Sequence, residues 1–142
     1  MTVQEVLLPL FAEVILTFLL LFALAPLRTR DFKTGVTQPE NIALREPNWS
    51  RRTLQIGYSY SNQFELPVLF YVLTIIAFFT HRAGVVFVAL AWLFVIFRYL
   101  QAYVHVTSNK VRVRGSFFIL SAVVLAIMWL FYMVEVLTSP WV

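Results

Sequence analysis

The sequence predicts an all-α integral membrane fold, a single bundle of four transmembrane helices across residues 1–142. Composition is the first reason: 61% of the residues are hydrophobic, only 13% are charged, and the mean hydropathy is +0.81, well beyond a soluble domain. Patterning is the second. A hydrocarbon core of roughly 30 Å needs about 20 apolar residues per helix, and four segments qualify, at approximately 6–27, 57–79, 83–106 and 116–138. Charge placement is the third. Arg28, Arg30, Lys33, Arg45, Arg51 and Arg52 fall in the first connection, and Lys110, Arg112 and Arg114 in the third. The second connection has only Arg82. By the positive-inside rule both basic loops are cytoplasmic and both termini outside. The net charge of +4 is thus topological and gives no reason to expect nucleic acid; a basic rim suits anionic lipid headgroups or an anionic ligand.

In the first segment, Ala23-Leu24-Ala25 has the look of a cleavage box. Met1 to Phe22 holds no Lys or Arg, the apolar run is long, and Pro26 follows, so a retained helix is expected rather than a signal peptide. Glu13 stands within it. A charge at bilayer depth costs at least about 2.5 kcal/mol on the insertion scale, so Glu13 is expected to close an interhelical hydrogen bond. The connection at approximately 28–56 is the one long loop, with Gly35, Pro39, Pro47 and Trp49; loops of this length are commonly functional or disordered.

The second segment opens with polar residues. At about 100° per residue Tyr58, Ser61, Asn62 and Glu65 share a face. Pro67 removes the bond to the Gln63 carbonyl and predicts a kink. In the third segment Arg98, Gln101 and His105 share a face, with Tyr99 and Tyr103 beside it. Counted from the basic side, Glu65 and Arg98 each lie about eight residues in, roughly 12 Å at 1.5 Å per residue. An ion pair between them is expected, easing the burial of either charge. The fourth segment is broadly apolar, and Glu135 near its outer end reads as solvated. Trp49 and Trp141 read as interfacial anchors.

Several chemistries are excluded. The chain has no cysteine, so thiolate nucleophiles, disulfides and Cys-based metal sites are absent, and any thiol must come from a bound molecule. His81 and His105 lie at opposite ends of the third segment and make no metal site. No Gly-rich phosphate loop or hydrolase triad occurs. The positive candidate is a polar pocket open to the cytoplasm, lined by Tyr58, Asn62, Glu65, Arg98, Gln101 and His105 and rimmed by Arg28, Arg30, Lys110, Arg112 and Arg114. It suits a small zwitterionic or multiply anionic ligand. A buried polar network that only fixes helix packing uses the same residues. Glu13 alone in a small four-span protein also admits a proton-coupled multidrug transporter, although the long first loop weighs against it.

Asn62-Gln63-Phe64-Glu65-Leu66-Pro67-Val68-Leu69-Phe70 resembles the helix-two signature of the MAPEG family, the membrane-associated proteins of eicosanoid and glutathione metabolism. Arg98-Tyr99-Leu100-Gln101-Ala102-Tyr103-Val104-His105, with Lys110, Arg112 and Arg114 after it, resembles the family's helix three and helix-four entry. The resemblance covers nearly the whole chain and suggests a bacterial-type member in the inner (cell) membrane.

The resemblance implies a homotrimer among membrane lipids, with glutathione as co-substrate bound near the cytoplasmic side between neighbouring copies, and a small lipophilic substrate. Asn62 and Glu65 would hold the polar atoms of glutathione, with Arg30 and Tyr58 nearby. Arg114 would stabilise the thiolate, with Arg98, Gln101 and His105 as lining residues. An alternative register uses Tyr99, Tyr103 and Lys110. The implied activity is a glutathione-dependent transferase or peroxidase acting on lipophilic electrophiles or lipid hydroperoxides; the alternative is a non-catalytic protein of the same family that binds lipid or a partner. The chain departs from the family pattern at Tyr58, where many members carry Arg, and in the closer spacing of Pro67 to Glu65.

Overall fold

The structure is a computed structural model and describes residues 1–140. Five α-helices make four spans: α1 (Val3–Lys33), α2 (Arg51–Ser61) and α3 (Leu66–Phe79) in series, α4 (Val85–Val106), and α5 (Val111–Thr138). Four helical units are long and apolar enough to cross a membrane, α2 and α3 counting as one over Arg51–Phe79. Among the described residues there is no strand. Trp141, read as an anchor, lies outside the described residues.

Each helix starts where local chemistry allows it. α1 opens with a capping box: the Thr2 hydroxyl accepts from the Glu5 N–H at 3.2 Å, and Glu5 Oε2 accepts from the Thr2 N–H at 2.6 Å, satisfying two N–H groups the helix leaves free. Its buried residues Val6, Pro9, Glu13, Leu16, Leu20 and Leu24 recur every three or four positions, the period of one helix face. The other face carries exposed Phe11, Ile15, Phe18 and Phe22, as a lipid-facing surface should.

The apolar core lies towards the side away from the basic loops, where α3, α4 and α5 meet. Phe70 stacks on Phe94 with ring centroids 4.6 Å apart, and Leu73, Ala77, Ala91, Leu125 and Met128 fill the space around them. The turn from α3 to α4 is short, running from Thr80 to Gly84. His81 adopts a left-handed φ of 55°, and Arg82 Nη1 donates to the Glu135 carbonyl at 3.0 Å. Glu135, read as a solvated helix end, also has its carboxylate 3.9 Å from Arg82.

Three boundaries differ from the sequence reading. α1 continues six residues beyond Leu27, to Lys33, because nothing between 28 and 33 breaks a helix and its charged end stands clear of the apolar stretch. α5 begins at Val111 rather than 116, so Arg112 and Arg114 occupy its first turns instead of a loop. The second span is interrupted rather than kinked. A 3-10 turn at Asn62–Phe64 separates α2 from α3, and Glu65 has non-helical dihedrals of φ −99° and ψ −106°. Pro67 sits in the first turn of α3, where its missing N–H costs no helical bond.

Candidate functional site

Arg98, on α4, is the point where all four spans meet. It is fully buried. Its Nη2 donates to the Asn62 carbonyl at 3.0 Å, an oxygen that the 3-10 turn also bonds to the Glu65 N–H at 3.4 Å. Its Nε lies 3.9 Å from Glu13 Oε1 on α1, and its guanidinium carbon lies 6.0 Å from the Phe118 ring centre on α5. Glu13 is equally buried. The expected Glu65–Arg98 pair is therefore replaced by Glu13–Arg98. The interruption is the cause: a 3-10 turn advances the chain by a different angle per residue than an α-helix, so a continuous helical wheel misplaces Glu65. Glu65 is exposed on the outside of the protomer, although its charge still reaches Arg98 more weakly than that of Glu13. Nor does Glu13 close a hydrogen bond: neither carboxylate oxygen has a hydrogen-bond partner among the described residues. Its partner is an ion at salt-bridge distance, so it is not the lone carboxylate that suggested a proton-coupled transporter.

The six residues expected to line one pocket thus divide. Arg98, Gln101 and His105 are buried on α4. Asn62 is half-buried at the junction, its Nδ2 3.5 Å from His105 Nδ1. Tyr58, 54% exposed, and Glu65 look outwards. Gln101 Oε1 and His105 Nε2 find no hydrogen-bond partner among the described residues, unlike most buried polar atoms. Of the alternative register, the Tyr99 hydroxyl donates to the Ala12 carbonyl of α1 at 2.5 Å, whereas Tyr103 is exposed. Lys110 is the N-cap residue of α5 and makes no side-chain capping bond.

Arg114 is half-buried on the first turns of α5. Its Nη1 donates to Asn109 Oδ1 at 2.6 Å, and it is close enough to His105 for their charges to interact. Asn109 itself has a left-handed φ of 51°, a conformation asparagine tolerates better than most residues. Lys110, Arg112 and Arg114 therefore crowd an end of a 28-residue helix that already carries the positive pole of the helix dipole. No acidic residue stands in that first turn. The sum is an electropositive start of α5 that includes one half-buried guanidinium, that of Arg114. Arg30, on the last turn of α1, is mostly solvent-exposed and lies 4.0 Å from Asp31.

Sequence reasoning missed the residues that hold this side of the molecule together. Asp31 is buried, and its Oδ2 accepts the Ser50 N–H at 2.9 Å, fastening the start of α2 to the end of α1. The Thr37 N–H donates to the Asp31 carbonyl at 3.1 Å, and its hydroxyl donates to the Asn48 carbonyl at 2.7 Å. The long loop is thus pinned at both ends. Gln55 Nε2 donates to the His105 carbonyl at 2.7 Å and Arg52 Nη1 to the Val106 carbonyl, satisfying carbonyls that the end of α4 leaves open. No motif announces such long-range side-chain bonds; a charged residue just beyond an apolar run, as at Asp31, is the only signal.

The loop and α2 enclose a cleft of about 430 Å³ beside Tyr58 and Ser61, with Arg28, Arg45 and Trp49 in its wall. In comparison with known proteins, the model of the MAPEG family matches residues 6–134. No curated protein and no solved structure matches the chain.

Proposed function

The chain belongs to the MAPEG family, and on that premise we propose that it is a glutathione-dependent transferase or peroxidase acting on lipophilic electrophiles or lipid hydroperoxides. The observation that carries this is Arg114, a half-buried guanidinium at the cation-rich start of α5. A thiol near neutral pH is mostly protonated, and both an adjacent guanidinium and a helix N-terminus favour the thiolate. Arg114 would meet the sulfur, and Asn109 holds its side chain in place through Nη1.

The residues at the 3-10 turn fit the rest of a small peptide. Glu65 is exposed and offers a carboxylate to an ammonium group; Asn62 offers an amide; Arg30 offers a cation to a carboxylate. Arg98 and Gln101, buried within the protomer, do not fit as ligand contacts. Arg98 acts instead by holding the turn through the Asn62 carbonyl. Tyr58 and Glu65, facing outwards, form half of a site that a neighbouring copy in a homotrimer completes. In the transferase reaction the thiolate sulfur forms a bond to the electrophilic carbon, and the departing or opened heteroatom takes up a proton. The bilayer supplies the lipophilic substrate, and the basic loops face the cytoplasm, where glutathione is available.

The competing reading, a non-catalytic protein binding lipid or a partner, draws on Tyr58, which gives no cation where the ligand's carboxylate would lie. Titrating the detergent-purified protein with glutathione, and following thiolate by ultraviolet absorbance, separates the two. Saturable thiolate in the wild type and none in Arg114→Ala, with the same oligomeric state, supports the enzyme. Absence of thiolate from both proteins favours the binding protein.

A further inference from the structure

The 3-10 turn that presents Asn62 and Glu65 is held to α4 by few bonds. The Asn62 carbonyl accepts the Glu65 N–H at 3.4 Å, long for such a bond, and Arg98 Nη2 at 3.0 Å. The shorter, charge-assisted bond is the stronger of the two. The other contact from the turn to α4 is that of Asn62 Nδ2 with His105 Nδ1, at 3.5 Å. The Gln63 amide turns back to the Ser59 carbonyl of α2. The grip of α4 on the turn therefore rests mainly on the Arg98 guanidinium.

One hydrogen bond does not fix so long a side chain. Basic side chains in a span reach towards the nearest polar surface when nothing holds them inward, and α4 ends at Val106, about two turns beyond Arg98. Arg98 nevertheless stays fully buried. Among the described residues Glu13 is the one acidic group within salt-bridge distance of it. Glu13 Oε1 lies 3.9 Å from Arg98 Nε, while Nη2 of the same guanidinium is the atom that meets the Asn62 carbonyl. The neighbouring residues fix this register, because the Tyr99 hydroxyl donates to the Ala12 carbonyl at 2.5 Å. Positions 12 and 13 of α1 are thus set against 98 and 99 of α4.

We propose that Glu13 is a positioning residue for the ligand site: its carboxylate holds Arg98 against the Asn62 carbonyl and so fixes the turn that presents Asn62 and Glu65. The proposal rests on the reading in which those two residues meet glutathione. Glu13 is fully buried and touches no ligand itself. Arg114 stands outside this chain of contacts, its side chain held by Asn109. Glu13 therefore governs how tightly the ligand is held and leaves the thiolate to Arg114.

The test compares Glu13→Leu, Arg98→Met and the double variant with wild type, as the full chain in detergent. Glu13→Gln, which keeps the shape and drops the charge, serves where Glu13→Leu is too unstable to purify. Glutathione is titrated against thiolate absorbance, and amide exchange at residues 62–65 is followed without ligand. Each single substitution should raise the glutathione Kd by about tenfold, the loss of one charge-assisted bond, with thiolate absorbance at saturation unchanged. The double variant should show that same loss and no more, as two residues acting through one contact do. Its exchange at 62–65 should be several-fold faster than in wild type. A pair that only packs helices gives the opposite result: the double variant, with both buried charges gone, regains affinity and slow exchange together with stability, and the proposal is overturned. Wild-type affinity in Glu13→Gln overturns it too, as does a double loss equal to the two single losses combined. Wild type without saturable thiolate defeats the glutathione reading instead. Exchange then decides alone, and rates at 62–65 unchanged in Glu13→Gln overturn the positioning role.

Discussion

Glu13 and Arg98 show how much of a membrane protein's energetics one pair can concentrate. Both are fully buried, at a closest separation of 3.9 Å, and most of their polar atoms find no hydrogen bond within the protomer. Removing one partner of a buried pair leaves a charge uncompensated, at a cost of roughly 3–5 kcal/mol, whereas replacing both by apolar residues of similar volume is often neutral or stabilising. Glu13→Leu and Arg98→Met should therefore each lower the unfolding temperature in detergent sharply, and the double variant should recover most of the loss. Additive losses would show that the two do not act as a pair. The pairing was only half legible in the sequence. Each charge stood out in an apolar segment, and depth favoured Glu65, which lies about as far from the basic side as Arg98. What decides is rotation about the helix axis, and the backbone at Glu65 departs from the helix with a ψ of −106°. Pro67 pointed to an irregularity there but not to its angle.

At the scale of elements, the first loop is tied down by residues that make no periodic pattern. Asp31 acts as a cap for α2 from 19 positions away, and α2 in turn caps the end of α4 through Gln55 and Arg52. The loop should therefore open as a unit. Asp31→Ala removes the acceptor for the Ser50 N–H and should accelerate protease cleavage and amide exchange across 34–50 several-fold, while exchange in the core of α4 stays unchanged. Asp31→Asn keeps an acceptor oxygen and should behave nearly as wild type; equal acceleration in both variants would point to the charge instead of the hydrogen bond. The spans themselves were legible because apolar length and basic-residue bias are local properties of the chain. The start of α5 was not. Basic residues at 110–114 look like a loop, and a helix is unfavourable there by its dipole, so the first turns of α5 run against local preference in the place where an anion is proposed to bind. Local preference failing at a functional position is the pattern expected of a chain whose sequence is otherwise consistent with its fold.

For the whole molecule, the outer surface poses a question that a single copy does not answer. Most outward side chains of the spans are apolar, such as Phe22, Ile119 and Leu130, and lipid satisfies them. Glu65 is exposed at the midpoint of the span Arg51–Phe79, and a carboxylate facing hydrocarbon carries a cost of several kcal/mol. Association with further copies, as in the proposed homotrimer, would cover Glu65 with protein or with a wet crevice. The absence of cysteine makes this directly measurable, because an introduced cysteine is the sole site for a nitroxide label. In liposomes a label at Glu65→Cys should be poorly accessible to membrane-dissolved oxygen, whereas one at Ile119→Cys, on a side chain 62% exposed, should be freely accessible. Dilution into excess detergent, which separates copies, should raise the first and leave the second unchanged. Equal oxygen access at both positions in liposomes would mean that Glu65 meets lipid in the assembled protein. The site at the 3-10 turn would then be an open surface rather than half of an interface, and the proposed glutathione contacts at Asn62 and Glu65 would lose the second wall on which they depend.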